Sequence, residues 1–328
     1  MKRISCLWFL FPAIFLHACN SSSSGCTDPL ANNLDPEASE NDGSCTYDEI
    51  WIQAQRSMPL SENLAGTSGL LFWEGRLWTH NDHDDTRLYA LDTADAGIEE
   101  EFLLEGVENT NWEDIDHDSD YIYVGDFGNN AAGNREDLHI LRIQKSSLLM
   151  GSPSIDTIWF SYSNQGSLNP VGPNQTEFDC EAMVATADHI YLFSKQWTSG
   201  HTTLYRLPKH PGTQVAEKLA TLDVQGLISG ACLLESKHIL VLCGYTGILQ
   251  PFLYLLYDYP EDSYFMGNKR RVNISIPFLQ VEGISSPDGL TFYLSNESYV
   301  MEPVTNTLQQ LHIIDLRPFM EEYLQATP

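Results

Sequence analysis

Basic residues are scarce in this 328-residue chain: 17 Lys and Arg stand against 45 Asp and Glu, a formal charge of −28. No Lys/Arg cluster exists that could neutralise a run of phosphates, so a nucleic-acid partner is not expected. Catalytic signatures are missing as well. The sequence has no Gly-x-Ser-x-Gly elbow, no His-Glu-x-x-His, no phosphate loop and no Gly-x-Gly-x-x-Gly turn. After the first sixteen residues no hydrophobic run is long enough to cross a bilayer as a helix. Helical pattern is nearly absent too, with only 318–324 reading as a short helix. What is abundant is acid, aromatic residues and short β-branched runs between turn formers, the composition of an acidic, folded β protein.

The chain opens Met1-Lys2-Arg3 and then runs apolar over 4–16, the charged-then-hydrophobic order of an export signal. The run ends Leu16-His17-Ala18-Cys19, which resembles the lipobox of bacterial lipoproteins, with His17 where a small residue is usual. That resemblance implies a signal peptide over 1–18 and lipidation of Cys19; ordinary secretion with small-residue cleavage is the plainer alternative. Residues 19–25 are Ser-rich, as a flexible tether needs. The expected location is the cell envelope, at the outer membrane, with lipid as the sole membrane attachment.

Cysteine use fits an oxidising compartment. Cys26 and Cys45 bracket a segment with little hydrophobic content, and closing a loop of this length stabilises by roughly 3 kcal/mol. Residues 26–47, with their paired Cys, Asp-Pro and Asp-Gly-Ser-Cys, resemble a short module that recurs in secreted proteins of Gram-negative bacteria. Oxygen side chains at Asp28, Asn33, Asp35, Asn41 and Asp42 could surround Ca²⁺, or serve as turn formers and nothing more. The module reads as a spacer. Cys180, Cys232 and Cys243 are an odd remainder, so at least one buried thiol is expected.

Residues 50–328 are built on self-similarity. Five units each give a strand, a turn and a second strand: they start at Ser68, Glu113, Glu181, Ser229 and Glu282. A third strand follows every unit (87–92, 138–143, 202–207, 252–257, 309–316), and a fourth follows all but the last (98–104, 157–162, 218–224, 271–277). The spare strand 50–58 can close the fifth unit. Four-stranded units repeated radially predict an all-β, five-bladed β-propeller, with six blades as the alternative. The Gly/Pro/Asn/Ser-rich insert 164–176 reads as a face loop.

In a propeller the first strands line the central channel, so Glu113, Glu181 and Glu282 should converge there. Three glutamates in a narrow channel raise one another's pKa unless a cation or proton intervenes. An oxygen-only ring suits Ca²⁺ over zinc, and these three are the candidate metal ligands. Around them fall candidate ligand-binding residues at second-strand ends: Asn81 and Asp82, Asp126 with Asn129 and Asn130, Lys195, and Asn296 with Glu297, together with Trp112, a stacking surface or a core residue. Lys195 could pair with a channel glutamate or meet an anionic ligand. An empty, water-filled channel would explain the same acids.

The set Thr79-His80-Asn81-Asp82, Asn111-Trp112-Glu113-Asp114-Ile115, Gly125-Asp126-Phe127-Gly128-Asn129-Asn130, Phe178-Asp179-Cys180-Glu181-Ala182 and Val281-Glu282-Gly283-Ile284 resembles uncharacterised bacterial propeller lipoproteins. It is similar to the SdiA-regulated family and, more distantly, to β-propeller phytases. The resemblance implies calcium near the channel, although Ser68 and Ser229 stand where a full ring would have acids. No Lys/Arg cluster suited to a polyphosphate is present. Two functions follow as expectations: a propeller that binds a ligand or envelope partner, with a divalent cation in the channel, or a metal-dependent hydrolase (phosphoesterase or lactonase type) using the same residues.

Overall fold

The computed structural model describes residues 23–301 and 305–326. The expected signal peptide over 1–18 and the expected lipidation site Cys19 lie outside the described residues. Blade 1 consists of Thr67–Trp73, Arg76–Asn81, Arg87–Leu91 and Ile98–Leu103, hydrogen-bonded in sequence order. Blade 2 repeats the pattern with Trp112–His117, Tyr121–Asp126, His139–Gln144 and Ile155–Tyr162, and blade 3 with Asp179–Ala185, His189–Lys195, His201–Pro208 and Gly212–Asp223. Blade 4 is Leu227–Leu234, Ile239–Tyr245, Pro251–Tyr257 and Asn268–Ile274. Blade 5 is Val281–Ser285, Thr291–Asn296 and Gln310–Asp315, and Arg56–Pro59 from the N-terminal side supplies its outer strand. The innermost strands touch in the cyclic order of the blades, and that of blade 5 returns to blade 1. The ring closes at five, so the fold is a five-bladed β-propeller.

The sequence makes this ring because its second strands are apolar on both faces. Successive residues of a strand point to opposite sides, and here each side meets a neighbouring blade. Leu77 packs into the seam with blade 5 while Trp78 packs into the seam with blade 2. Ile190 and Leu192 face blade 2, whereas Tyr191 and Phe193 face blade 4. Each of the five blade-to-blade seams holds its own buried cluster. The outer strands reverse this character: Glu99, Glu100 and Glu101 on blade 1 face solvent and pair with Arg76 and Arg87, charges that blunt an exposed edge.

Three expectations need correction. The spare strand over 50–58 is two strands: Trp51–Ile52 adds in parallel to the outer edge of blade 4, and only Arg56–Pro59 closes blade 5. The outer strand of blade 3 is longer than expected, and its first half pairs in parallel with blade 2 from Ile158↔Gly212 to Tyr162↔Ala216. The disulfide-closed module is docked rather than a free spacer. Cys26 and Cys45 are bonded, and the Asp28 carboxylate accepts hydrogen bonds from Tyr47 Oη at 2.6 Å and from Tyr257 Oη of blade 4 at 2.5 Å. Asn41 Nδ2 donates to Asp258 and Asn268, and the Arg270 guanidinium lies between the rings of Tyr47 and Phe319. Gly43 sits at φ +73° under blade 4, where a Cβ would overlap the Met266 carbonyl. Phe319 belongs to the helix Arg317–Ala326, which buries Met320 in the seam between blades 4 and 5.

Candidate functional site

Every innermost strand carries a β-bulge at the residue that marks the repeat. In blade 3, Cys180 pairs with Ser194 and Ala182 with Phe193, leaving Glu181 as the extra residue. Glu113, Ser229 and Glu282 are the extra residues of blades 2, 4 and 5, and the shift in blade 1 falls at Ser68 and Gly69. A bulge re-aims the side chain it carries, here into the axis of the ring. The two serines are consumed at once: Ser68 Oγ donates to the Glu113 carbonyl of blade 2, and Ser229 Oγ to the Val281 carbonyl of blade 5. They staple blades together, and the three glutamates are left to face the channel.

Glu113, Glu181 and Glu282 line one cavity of about 300 Å³ at the channel mouth, with Asp82, Glu297, Lys195, Asn111, Gln280, Trp197 and Tyr245 among its other walls. Lys195 Nζ lies 3.2 Å from Glu181 Oε2, 4.8 Å from the centre of the Trp197 ring and 5.0 Å from that of Tyr245. Asn111 Nδ2 donates to Glu113 Oε1. Glu282 Oε2 is buried without a hydrogen-bond partner, as is Gln280 Oε1. Asp179 stands behind this wall, accepting from Trp197 Nε1 at 2.7 Å and from the Asn129 amide, so it fixes the aromatic ring.

The electrostatics follow from crowding. Burial, then Glu181 and Asp179, push the Glu113 carboxyl well above the ordinary range. Burial raises Glu282 in the same way, with Glu181 and Glu297 adding to it and Lys195 opposing. Burial and Asp82 push Glu297 up to about 7. Burial works against the charge on Lys195, yet Glu181, Tyr245 and Glu282 hold its ammonium well above its ordinary value. One lysine thus serves a cavity with five lining carboxyls, and protons or a bound cation make up the difference.

Of the sequence-based candidates, Glu113, Glu181, Glu282, Asp82, Lys195, Asn130 and Glu297 meet in this cavity. The others do not line it. Trp112 is wholly buried in the seam between blades 1 and 2, its Nε1 donating to the Glu108 carbonyl. Asp126 accepts from the amides of Thr110 and Asn111 and from Arg135, and Asn129 bridges Phe178 and Arg135. Asn296 accepts from His312 and donates to the Glu297 and Leu308 carbonyls, and Asn81 Nδ2 donates to the Asn63 carbonyl and to Asp85. These four hold loops and strand ends: Asn81, Asp126 and Asn296 pair with the first residue of the neighbouring innermost strand, and Asn129 lies in the loop that follows Asp126. Tyr245 was missed although the repeat marks it: it is the blade 4 counterpart of Asn81, Asp126, Lys195 and Asn296, each opposite the start of its first strand. Trp197 lies two residues past the end of its second strand and Gln280 just before its first strand, where nothing in the pattern points to them.

A calcium ring fits these side chains poorly as they stand. Among the described residues no group of three or more His, Cys, Asp or Glu is close enough to hold a metal ion, and the Lys195 ammonium already occupies the space beside Glu181. In the module, Asp28, Asn33, Asp35, Asn41 and Asp42 are engaged in local turns and docking contacts. Cys180, Cys232 and Cys243 are all free and buried.

No family model matches the chain, and no curated protein does. Among solved structures it is similar to Myxococcus xanthus glutaminyl cyclase, with 11% identity over 82% of this chain and 100% of that one and a TM-score of 0.48. It is also similar to a putative oxidoreductase (glucose dehydrogenase) of Thermus thermophilus, at 9% identity over 79% and 99% of the two chains, TM-score 0.45. The WD40 repeats of RRP9 match at 11% identity over 76% and 67%, TM-score 0.36.

Proposed function

We propose that this protein is an exported, lipid-anchored envelope protein whose propeller channel binds a small, positively charged ligand. The observation that carries the reading is Glu282. Its side chain is buried on the cavity wall, and Oε2 has no hydrogen-bond partner. A buried polar atom left unpaired costs about 1–3 kcal/mol, and more when charged, a cost that a ligand bearing positive charge removes. Asp82, Glu113 and Glu297 add acceptors on the same wall, so the cavity favours cations over anions.

Calcium is the inorganic candidate from the sequence resemblance. It would require Glu113, Glu181 and Glu282 to draw together as Lys195 withdraws. A hydrolase would require that same rearrangement before any water could be activated, so binding is the reading the geometry favours. The test is calorimetric titration of the chelator-free protein with CaCl₂ and with small organic cations, beside thermal melts with and without EDTA. Binding of at least one cation, weakened tenfold or more by Glu282→Gln, is expected. Absence of binding by every cation tried would sink the proposal. The envelope assignment is tested separately: Cys19→Ala should abolish incorporation of labelled fatty acid and release the protein from membranes.

A further inference from the structure

We infer that the cation this channel takes is an organic one that donates N–H groups, an ammonium or guanidinium, and not a metal ion. The inference rests on the cationic-ligand reading above and narrows it. Its first support is a pattern among the three bulge glutamates. Glu113 accepts from the side-chain nitrogen of Asn111, and Glu181 faces the ammonium of Lys195 at 3.2 Å. Among the three, Glu282 alone has a fully buried oxygen that no donor reaches. Two of three acids are therefore served by N–H groups of the chain itself, and the third is left for a donor from outside.

A second acceptor stands beside it. Gln280 lines the same cavity, and its amide is oriented by Nε2 donating to Glu297 Oε1 at 2.9 Å, which leaves Oε1 turned away and without a partner. One carboxylate oxygen and one amide oxygen, two residues apart in the chain, suit a group with two or more N–H donors. Ca²⁺ takes six to eight oxygen ligands, and among the described residues no three His, Cys, Asp or Glu stand close enough to form the carboxylate core of such a site.

Size and lining agree. The cavity is about 300 Å³, whereas a water-sized occupant takes up only about 30 Å³. The volume lies at the lower end of pockets for small organic ligands, roughly 300–1,000 Å³. Trp197 and Tyr245 already hold one ammonium, that of Lys195, against their ring faces. A ligand with an amine at one end and a short polar body fits this wall.

The experiment uses methylammonium, agmatine and glucosamine as probes in calorimetry and thermal melts of the whole protein, with tetramethylammonium and CaCl₂ as controls. Tetramethylammonium has the charge without N–H donors. At least one probe should bind one-to-one, at least tenfold tighter than tetramethylammonium, and lose tenfold or more in affinity with Glu282→Gln. Gln280→Leu, which leaves every channel acid in place, should lose severalfold and serves if the first variant is unstable. Binding of Ca²⁺ but of none of the three probes would overturn the inference and leave the cationic-ligand reading standing. Equal affinity for tetramethylammonium would overturn the N–H requirement. Absence of binding by all five would overturn both.

Discussion

Lys195 Nζ meets Glu181 Oε2 at 3.2 Å with both side chains almost wholly buried, 4% and 2% exposed. The two sit together at the open end of one hairpin in blade 3, the acid on a bulge near the start of the first strand and the lysine at the end of the second. Removing one partner of such a pair leaves a buried charge uncompensated, which costs about 3–5 kcal/mol. Lys195→Met should therefore lower the free energy of unfolding by about that amount at pH 7. Lys195→Met with Glu181→Gln should recover much of the loss, since the double change removes both charges. Urea titration of the parent, Lys195→Met, Glu181→Gln and the double variant gives the coupling. A double variant no more stable than Lys195→Met alone would show that Glu181 does not depend on the lysine.

The raised carboxyls predict how ligand affinity moves with pH. Glu297 is pushed up to about 7 by burial and Asp82, and Glu113 and Glu282 lie well above their ordinary range for the same first reason. A cation is held by the ionised forms, so each proton that must leave weakens binding on the acid side. Affinity for an amine should rise as pH increases through about 7, by roughly tenfold per proton released per unit of pH. Titrations at pH 5.5, 7 and 8.5 measure the slope, and Glu297→Gln should flatten it. A pH-independent affinity would mean that these carboxyls are not the binding groups.

The five blades were legible because a second strand buried on both faces leaves a continuous apolar signature, as in Ile190-Tyr191-Leu192-Phe193. Glu113, Glu181 and Glu282 were legible because the bulge falls at the same repeat position in each blade. The double use of 50–58 was not, because Trp51–Ile52 is only two residues of strand, added by pairing distant in sequence. The sorting of Asn81, Asp126, Asn129 and Asn296 was not legible either. Asn and Asp at hairpin ends satisfy backbone groups as readily as they contact ligands, and only their partners in space separate the two uses. The module's docking was hidden for a similar reason: Asp28-Pro29 reads as a local turn, while Tyr257, the partner of Asp28, lies in blade 4.

His312 should limit stability in acid. Its Nδ1 is 2.7 Å from Ser57 Oγ, and its Nε2 donates to Asn296 Oδ1 at 2.8 Å. The Asn296 amide is fixed by its own donations, so the ring is neutral with the proton on Nε2. Burial pulls its pKa down to about 4. The unfolded chain takes up the proton near pH 6.5 and the folded chain does not, so stability is present above about 6.5 and is lost as pH falls toward 4. The shift corresponds to about 3 kcal/mol. Asp116, raised to about 7 by burial, acts in the opposite sense, costing stability as pH rises from about 4 to 7. His312→Gln should therefore be less stable than the parent at pH 7 and lose part of that deficit at pH 4.5. A deficit of equal size at both pH values would show that His312 does not titrate on unfolding.

The docked module supplies the last prediction. Asp28 accepts from Tyr47 within the module and from Tyr257 in blade 4, so one carboxylate joins the disulfide loop to the propeller. Replacing Cys26 and Cys45 by Ser should cost about 3 kcal/mol from loop closure. Asp28→Ala should cost about 1–3 kcal/mol, because the buried Tyr257 hydroxyl and the half-buried Tyr47 hydroxyl lose the carboxylate they share. Both changes release the same latch, so their combination should cost less than the two added. The latch presses on Tyr257 and, through Arg270, on Phe319 of the helix that seals blades 4 and 5. Calorimetry should accordingly show the main unfolding transition moved to lower temperature in each variant. A spacer merely tethered to the propeller would leave that transition where it was, and only the module would become susceptible to protease.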